Sequence, residues 1–158
     1  FTRMERKDII REIDRVCDGI RPALCVLTGG EPTLQVDPDL LETLRKRFKR
    51  IAIETNGTRD VIPGFDLITI SPKDCFVGNA ALAIQTSGAE MECKVVFDGE
   101  HNPEQYFERV PASHYYLQPC DTGDPARNAE ILAATVQHIK THPWWRLSLQ
   151  TQKIIKVR

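Results

Sequence analysis

The chain has 158 residues, 41% of them hydrophobic and 27% charged, which suits one folded domain over 1–158 and argues against disorder. With 21 Lys and Arg against 22 Asp and Glu, the formal charge of -1 offers no global attraction to nucleic acid or to an anionic membrane. Unbroken apolar stretches such as Ala23 to Leu27 fall far short of the ~20 residues a bilayer requires, and no basic-then-apolar leader is visible, so a cytoplasmic protein is expected.

The chain opens on Phe1 rather than Met, with a helix signal one residue later, and a further segment is therefore expected in front of it. Ile9, Ile10, Ile13, Val16 and Cys17 fall on one face of a helix over residues 4–18, with Thr2 and Glu5 at capping-box spacing and Gly19 beyond the end. Ala23 to Thr28, bounded by Pro22 and Gly29, reads as a strand buried on both faces. Asp37 and Pro38 then start a helix with Leu40, Leu41, Leu44 and Phe48 inward, and the cations Arg45 to Arg50 near its end read as solvated surface.

Strands follow at Ile51 to Thr55 and Asp66 to Ser71, joined through Asn56-Gly57. A helical or irregular piece is expected over Asn79 to Thr86, a strand over Glu92 to Phe97, a short helix opened by Asn102-Pro103, and a strand over Tyr115 to Gln118. The next helix, Ala126 to His142, would turn Ala129, Leu132, Val136 and Ile139 inward, and the alternation from Arg146 to Thr151 reads as a half-exposed strand. Repeated strand-helix units predict an α/β fold with a mostly parallel sheet, either doubly wound or rolled into all or part of a barrel.

Cys17, Cys25, Cys75, Cys93 and Cys120 are too dispersed for zinc knuckles or a redox dithiol and read as reduced, mostly packed thiols. His101, His114, His138 and His142 form no metalloprotease motif; His138 and His142 are one helical turn apart, and a solvated face is the expected role. No self-contained metal site is read from the sequence.

Ligands of parallel α/β folds collect at the C-terminal ends of strands. Those ends carry Thr28-Gly29-Gly30-Glu31-Pro32, Glu54-Thr55-Asn56-Gly57, Ser71-Pro72-Lys73, Gln118-Pro119 and Gln150-Thr151-Gln152-Lys153. Gly29 and Gly30 leave room for a ligand, Glu31 can pair a cation, and Ser71 and Lys73 can hold hydroxyl or carboxylate oxygens. A polar, zwitterionic small molecule fits that set. Each segment alone also reads as an ordinary turn.

Val26-Leu27-Thr28-Gly29-Gly30-Glu31-Pro32 resembles the GGEP motif of radical S-adenosylmethionine (SAM) enzymes. Together with Glu54-Thr55-Asn56-Gly57, Ser71-Pro72-Lys73, Leu117-Gln118-Pro119 and Trp145 to Lys153, the chain more closely resembles the 7-carboxy-7-deazaguanine synthase family. The resemblance implies a partial (β/α) barrel and the conversion of 6-carboxy-5,6,7,8-tetrahydropterin to 7-carboxy-7-deazaguanine in queuosine and 7-deazapurine biosynthesis. Its cofactors would be SAM, a [4Fe-4S] cluster and Mg²⁺.

Carried over by position, Gly30, Ser71, Pro72, Lys73 and Gln118 would contact SAM, with Gly29, Glu31 and Glu54 nearby. Thr28 and the terminal Arg158 would contact the pterin, as would Gln152, which stands where many relatives have His and cannot titrate. The CxxxCxxC cysteines and a magnesium-binding threonine are expected upstream of Phe1, so the 158 residues alone are expected to be inactive. An electron donor such as flavodoxin and a homodimer are the implied partners. Two other readings stay open: another small radical SAM enzyme, such as a glycyl-radical activase, and a non-catalytic SAM-binding α/β domain.

Overall fold

The computed structural model describes residues 4–73, 82–83 and 88–155. Six strands form one all-parallel sheet: β1 (Leu24–Leu27), β2 (Arg50–Thr55), β3 (Leu67–Ile70), β4 (Glu90–Phe97), β5 (His114–Pro119) and β6 (Trp145–Leu147). Their spatial order is their chain order. A doubly wound sheet reverses order part-way, whereas a barrel adds each strand beside the last, so the order selects the barrel-type arrangement. Among the described residues β1 and β6 are not paired, and the arc stays open.

The helices are α1 (Arg6–Cys17), α2 (Pro38–Arg45), α3 (Tyr106–Arg109), α4 (Pro125–Thr141) and α5 (Thr151–Ile154). Asp37 accepts from the Leu40 amide at 2.8 Å and Asp124 from the Ala126 amide at 2.9 Å, each followed by proline in the first turn. Asn102 caps the 3₁₀ turn Pro103–Gln105 in the same way. No described helix is long and apolar enough to cross a membrane.

Strand periodicity divides the sheet into two unlike faces. Ile51, Ile53, Ile68, Ile70, Met91, Cys93, Val95, Phe97, Leu117 and Trp145 form the apolar core with Leu41, Leu44, Phe48 and Tyr106. Glu54, Thr69, Glu92, Lys94, Tyr116 and Gln118 occupy the alternate positions. The register sets Glu54 beside Thr69 and Thr69 beside Glu92, and Glu92 accepts from the hydroxyls of Tyr116 at 3.2 Å and Thr69 at 3.4 Å. A polar face in a parallel sheet has no helix to bury it, so it is the face left for a ligand.

Several expectations are corrected. Only Cys25 and Leu27 of β1 pack on the core, while Leu24 and Val26 are 45% and 43% exposed because they point to the polar face. On α1, Ile10, Ile13 and Cys17 pack inward but Val16 is exposed; Glu5 is the N-cap without a side-chain bond, and Thr2 lies outside the described residues. The left-handed residue closing α1 is Asp18, followed by Gly19.

On α4 the inward stripe is Ile131, Ala134, Thr135 and Ile139, with Ala129 and Leu132 exposed. Thr135 tolerates complete burial because its hydroxyl bonds the Ile131 carbonyl at 2.7 Å. The cations after α2 are not merely solvated. Arg45 pairs with Asp66 at 2.6 Å and Arg47 with Asp14 at 2.6 Å, tying the helix end to β3 and α1. The last strand stops at Leu147; after the Ser148 amide bonds the Leu117 carbonyl at 2.9 Å, the chain leaves the ladder and Thr151–Ile154 is helical. The piece expected over Asn79 to Thr86 lies, but for residues 82–83, outside the described residues.

Candidate functional site

The polar face ends in a cavity of about 550 Å³ at the C-terminal side of the strands. It is lined by Thr28 after β1, Glu54 of β2, Ser71 and Lys73 after β3, Lys94 of β4, Gln118 of β5, and Ser148, Leu149, Gln150 and Gln152 after β6. Five separate strand ends and one strand interior thus supply one site. Apart from Leu149, its lining is hydroxyl, amide, ammonium and carboxylate, the groups that bind a polar, charged small molecule.

Two charged contacts organise it. Lys73 donates to the Ser71 hydroxyl at 2.9 Å, which places an ammonium and a hydroxyl side by side after β3. Lys94 reaches Oε1 of Glu54 at 2.8 Å, an ion pair whose side chains are 19% and 35% exposed. A bound zwitterion therefore meets fixed positive and negative groups inside one recess.

Glu31 has a different place from a cation partner. Its carboxylate accepts from the Thr33 amide (3.2 Å) and hydroxyl (2.8 Å), from the Thr55 hydroxyl (2.7 Å) and from the Asn56 amide (2.8 Å). Burial opposes its ionisation, but the bonds from Thr55, Asn56 and Thr33 together outweigh that and hold the carboxyl below its ordinary value. Glu31 joins the turn after β1 to the turn after β2, so it positions two strand ends relative to one another and does not line the cavity.

Of the other expected residues, Gly29 lies in a neighbouring, more apolar recess with Val26, Leu27 and Leu40. Pro72 lies between the cavity residues Ser71 and Lys73 without lining it, Gly30 stands two residues after Thr28 and does not line it, and Arg158 lies outside the described residues. Lys94, Ser148 and Leu149 were not singled out from the sequence. Lys94 carried a usable signal: a charge alternating with Cys93 and Val95 in the middle of a strand cannot face the core.

No family model matches the chain. A 7-carboxy-7-deazaguanine synthase of Bacteroides thetaiotaomicron is 39% identical over 99% of this chain and 75% of its own length. This chain belongs to the 7-carboxy-7-deazaguanine synthase family. Further synthases of that name are similar to it, from Bordetella pertussis (41% identical, 89% of this chain) and Synechocystis (31% identical, 99% of this chain). The chain spans 63% of the Bordetella synthase and 73% of the Synechocystis synthase.

The cysteines do not converge on a cluster among the described residues. Cys25 on β1 and Cys93 on β4 have two strands between them, three inter-strand spacings or roughly 14 Å. Burial pushes the Cys93 thiol up to about 12 and also raises that of Cys25, the opposite of what a thiolate ligand needs. Cys17, Cys25 and Cys93 are packing residues, Cys120 stands apart after β5, and the described cysteines do not fit an iron-sulfur site; Cys75 lies outside the described residues.

Proposed function

We propose that this chain carries the SAM and pterin site of a 7-carboxy-7-deazaguanine synthase. The reaction is that of a carbon-nitrogen lyase: 6-carboxy-5,6,7,8-tetrahydropterin gives 7-carboxy-7-deazaguanine and ammonia, in queuosine and 7-deazapurine biosynthesis. The observation that carries the reading is that Thr28, Ser71, Lys73 and Gln118, read from three separate strand ends, line one polar cavity.

In this assignment Gly30, Ser71, Pro72, Lys73 and Gln118 hold SAM, with Gly29 and Glu54 beside them. Thr28 and Gln152 face the pterin, with Arg158 as a further contact. Hydroxyl, amide and ammonium donors suit the carboxylate and hydroxyls of SAM, and Glu54 offers a negative group for its ammonium. In this reading SAM would supply one-electron chemistry together with a [4Fe-4S] cluster that the described cysteines do not hold.

What the chain's own residues contribute is orientation and exclusion of water. The Glu31 carboxylate fixes the turns that present Thr28 and Glu54, and the Lys94-Glu54 pair sets the charge of the cavity floor. Mg²⁺ as a further cofactor, a cytoplasmic location, a flavodoxin-type electron donor and a homodimer belong to the same reading.

Calorimetric titration of the chain with SAM, and then with the tetrahydropterin in saturating SAM, tests it. One equivalent of each, bound without competition, is the expected result. Failure of both to bind would overturn the assignment.

A further inference from the structure

Among the described residues, one cluster outside the cavity brings ligand atoms of three side chains together: Glu104, His138 and His142, with one such atom from each lying within 4.8 Å of the others. Glu104 sits in the 3₁₀ turn between β4 and α3, His138 in the last turn of α4, and His142 closes that helix. None of the three lines the strand-end cavity.

The helix supplies the first part of the geometry. Residues four apart share a face, and the two imidazoles stack with centroids 4.2 Å apart and planes 12° from parallel. Nε2 of His138 is 3.0 Å from Oε1 of Glu104. Two donors on a tetrahedral zinc ion, each at 2.0–2.1 Å, are about 3.3 Å apart, so this pair already stands at the required separation. The remaining nitrogen has to close by no more than about 1.5 Å.

The surroundings supply an independent observation. Nδ1 of His142 lies 3.0 Å from the His138 carbonyl oxygen and 2.9 Å from the Thr141 hydroxyl; in the tautomer with the proton on Nδ1 it donates to the carbonyl and Nε2 keeps its lone pair for a metal. Metal-binding histidines are oriented in this way, by the second ring nitrogen donating to a backbone carbonyl. Glu104 is fixed as well: the indole N–H of Trp145 donates to Oε1 at 2.7 Å and that of Trp144 to Oε2 at 3.1 Å. An ordinary ion pair would need neither two stacked imidazoles nor a carboxylate held from both sides.

We propose that Glu104, His138 and His142 form a Zn²⁺ site that clips the β4–β5 connection to the end of α4. Two imidazoles and one carboxylate are a donor set zinc accepts, with water completing four-coordination. The ion would add stability at the entry to β6 and take no part in the chemistry of the cavity.

The test is titration of the chelator-stripped, reduced chain with Zn²⁺ and with Co²⁺ as a spectroscopic probe. One equivalent of Co²⁺ should give visible d–d bands without a thiolate charge-transfer band, and Zn²⁺ should raise the Tm. His142→Gln should weaken binding at least about tenfold and remove the Tm shift. The proposal is overturned by absence of saturable binding up to about 0.1 mM metal, by a thiolate band, or by unchanged affinity in both His142→Gln and His138→Gln. The wild-type cobalt spectrum decides even if a variant misfolds.

Discussion

The Lys94 ammonium lies 2.8 Å from Oε1 of Glu54, although β3 runs between their strands. Both side chains rise from the polar face and lean toward each other over it. Glu54→Gln keeps an acceptor but removes the charge. With side chains 19% and 35% exposed, the pair is partly solvated, and the expected loss is about 1 kcal/mol. Urea denaturation should show it as a lowered midpoint with unchanged slope, and heating as a Tm lower by about 2–4 °C.

Glu31→Gln should cost more, because an amide NH₂ would be turned against groups that all donate. About 2 kcal/mol is expected. The wild-type pH dependence has a definite sign. Glu31 and Asp98 both have folded-state values below their ordinary ones; for Asp98, burial works against this but the bonds from Glu100 and His101 prevail and bring it to about 2. Their stabilisation is complete above the unfolded carboxyl values, near 4, and is lost as pH falls toward the folded values. Acid titration of stability should therefore be less steep in Glu31→Gln than in wild type.

Two glycines with similar backbone angles should respond differently to alanine. Gly30 has φ +54° with nothing within 4 Å of an added Cβ, whereas at Gly57, φ +77°, the Cβ would meet Cγ2 of Ile70 at 2.9 Å. Gly30→Ala should cost about 1 kcal/mol, the penalty of left-handed backbone alone. Gly57→Ala should cost at least about 2 kcal/mol, since strain and the clash with Ile70 add. Chemical denaturation of the two variants compares them directly.

Cys93 is fully buried on β4, and burial pushes its thiol up to about 12. Alkylation of the folded chain at pH 8 should leave Cys93 unmodified while half-exposed Cys120 reacts, as read by mass spectrometry of peptides. Cys93→Ser buries a hydroxyl in the same apolar place and should lose about 1–3 kcal/mol.

The alternation of strands and helices was legible because the apolar runs and the Asp37 and Asn102 caps sit where the elements begin. The strand-end rule found Thr28, Ser71, Lys73 and Gln118 for the same reason. Contacts that depend on which strands are neighbours were not legible: nothing local to Lys94 says that Glu54 lies across β3. Local chemistry also leaves direction open, so the Glu31 carboxylate could be recognised as functional but not as facing the chain itself. Leu149 imitates a continuation of the strand that ends at Leu147, yet it turns into the cavity once the ladder ends at β6. The His138 and His142 spacing was visible; Glu104, 34 residues before His138, was not.

The central claim is that the strand-end cavity is the SAM site. The measurement that tests it most directly is the Kd for SAM of the wild-type chain beside those of Ser71→Ala and Gln118→Ala, with Tm measured on the same samples. The account predicts at least about a tenfold weaker Kd in each variant, the loss of one hydrogen bond to a charged ligand, with Tm nearly unchanged. Wild-type affinity for SAM in both variants would contradict it.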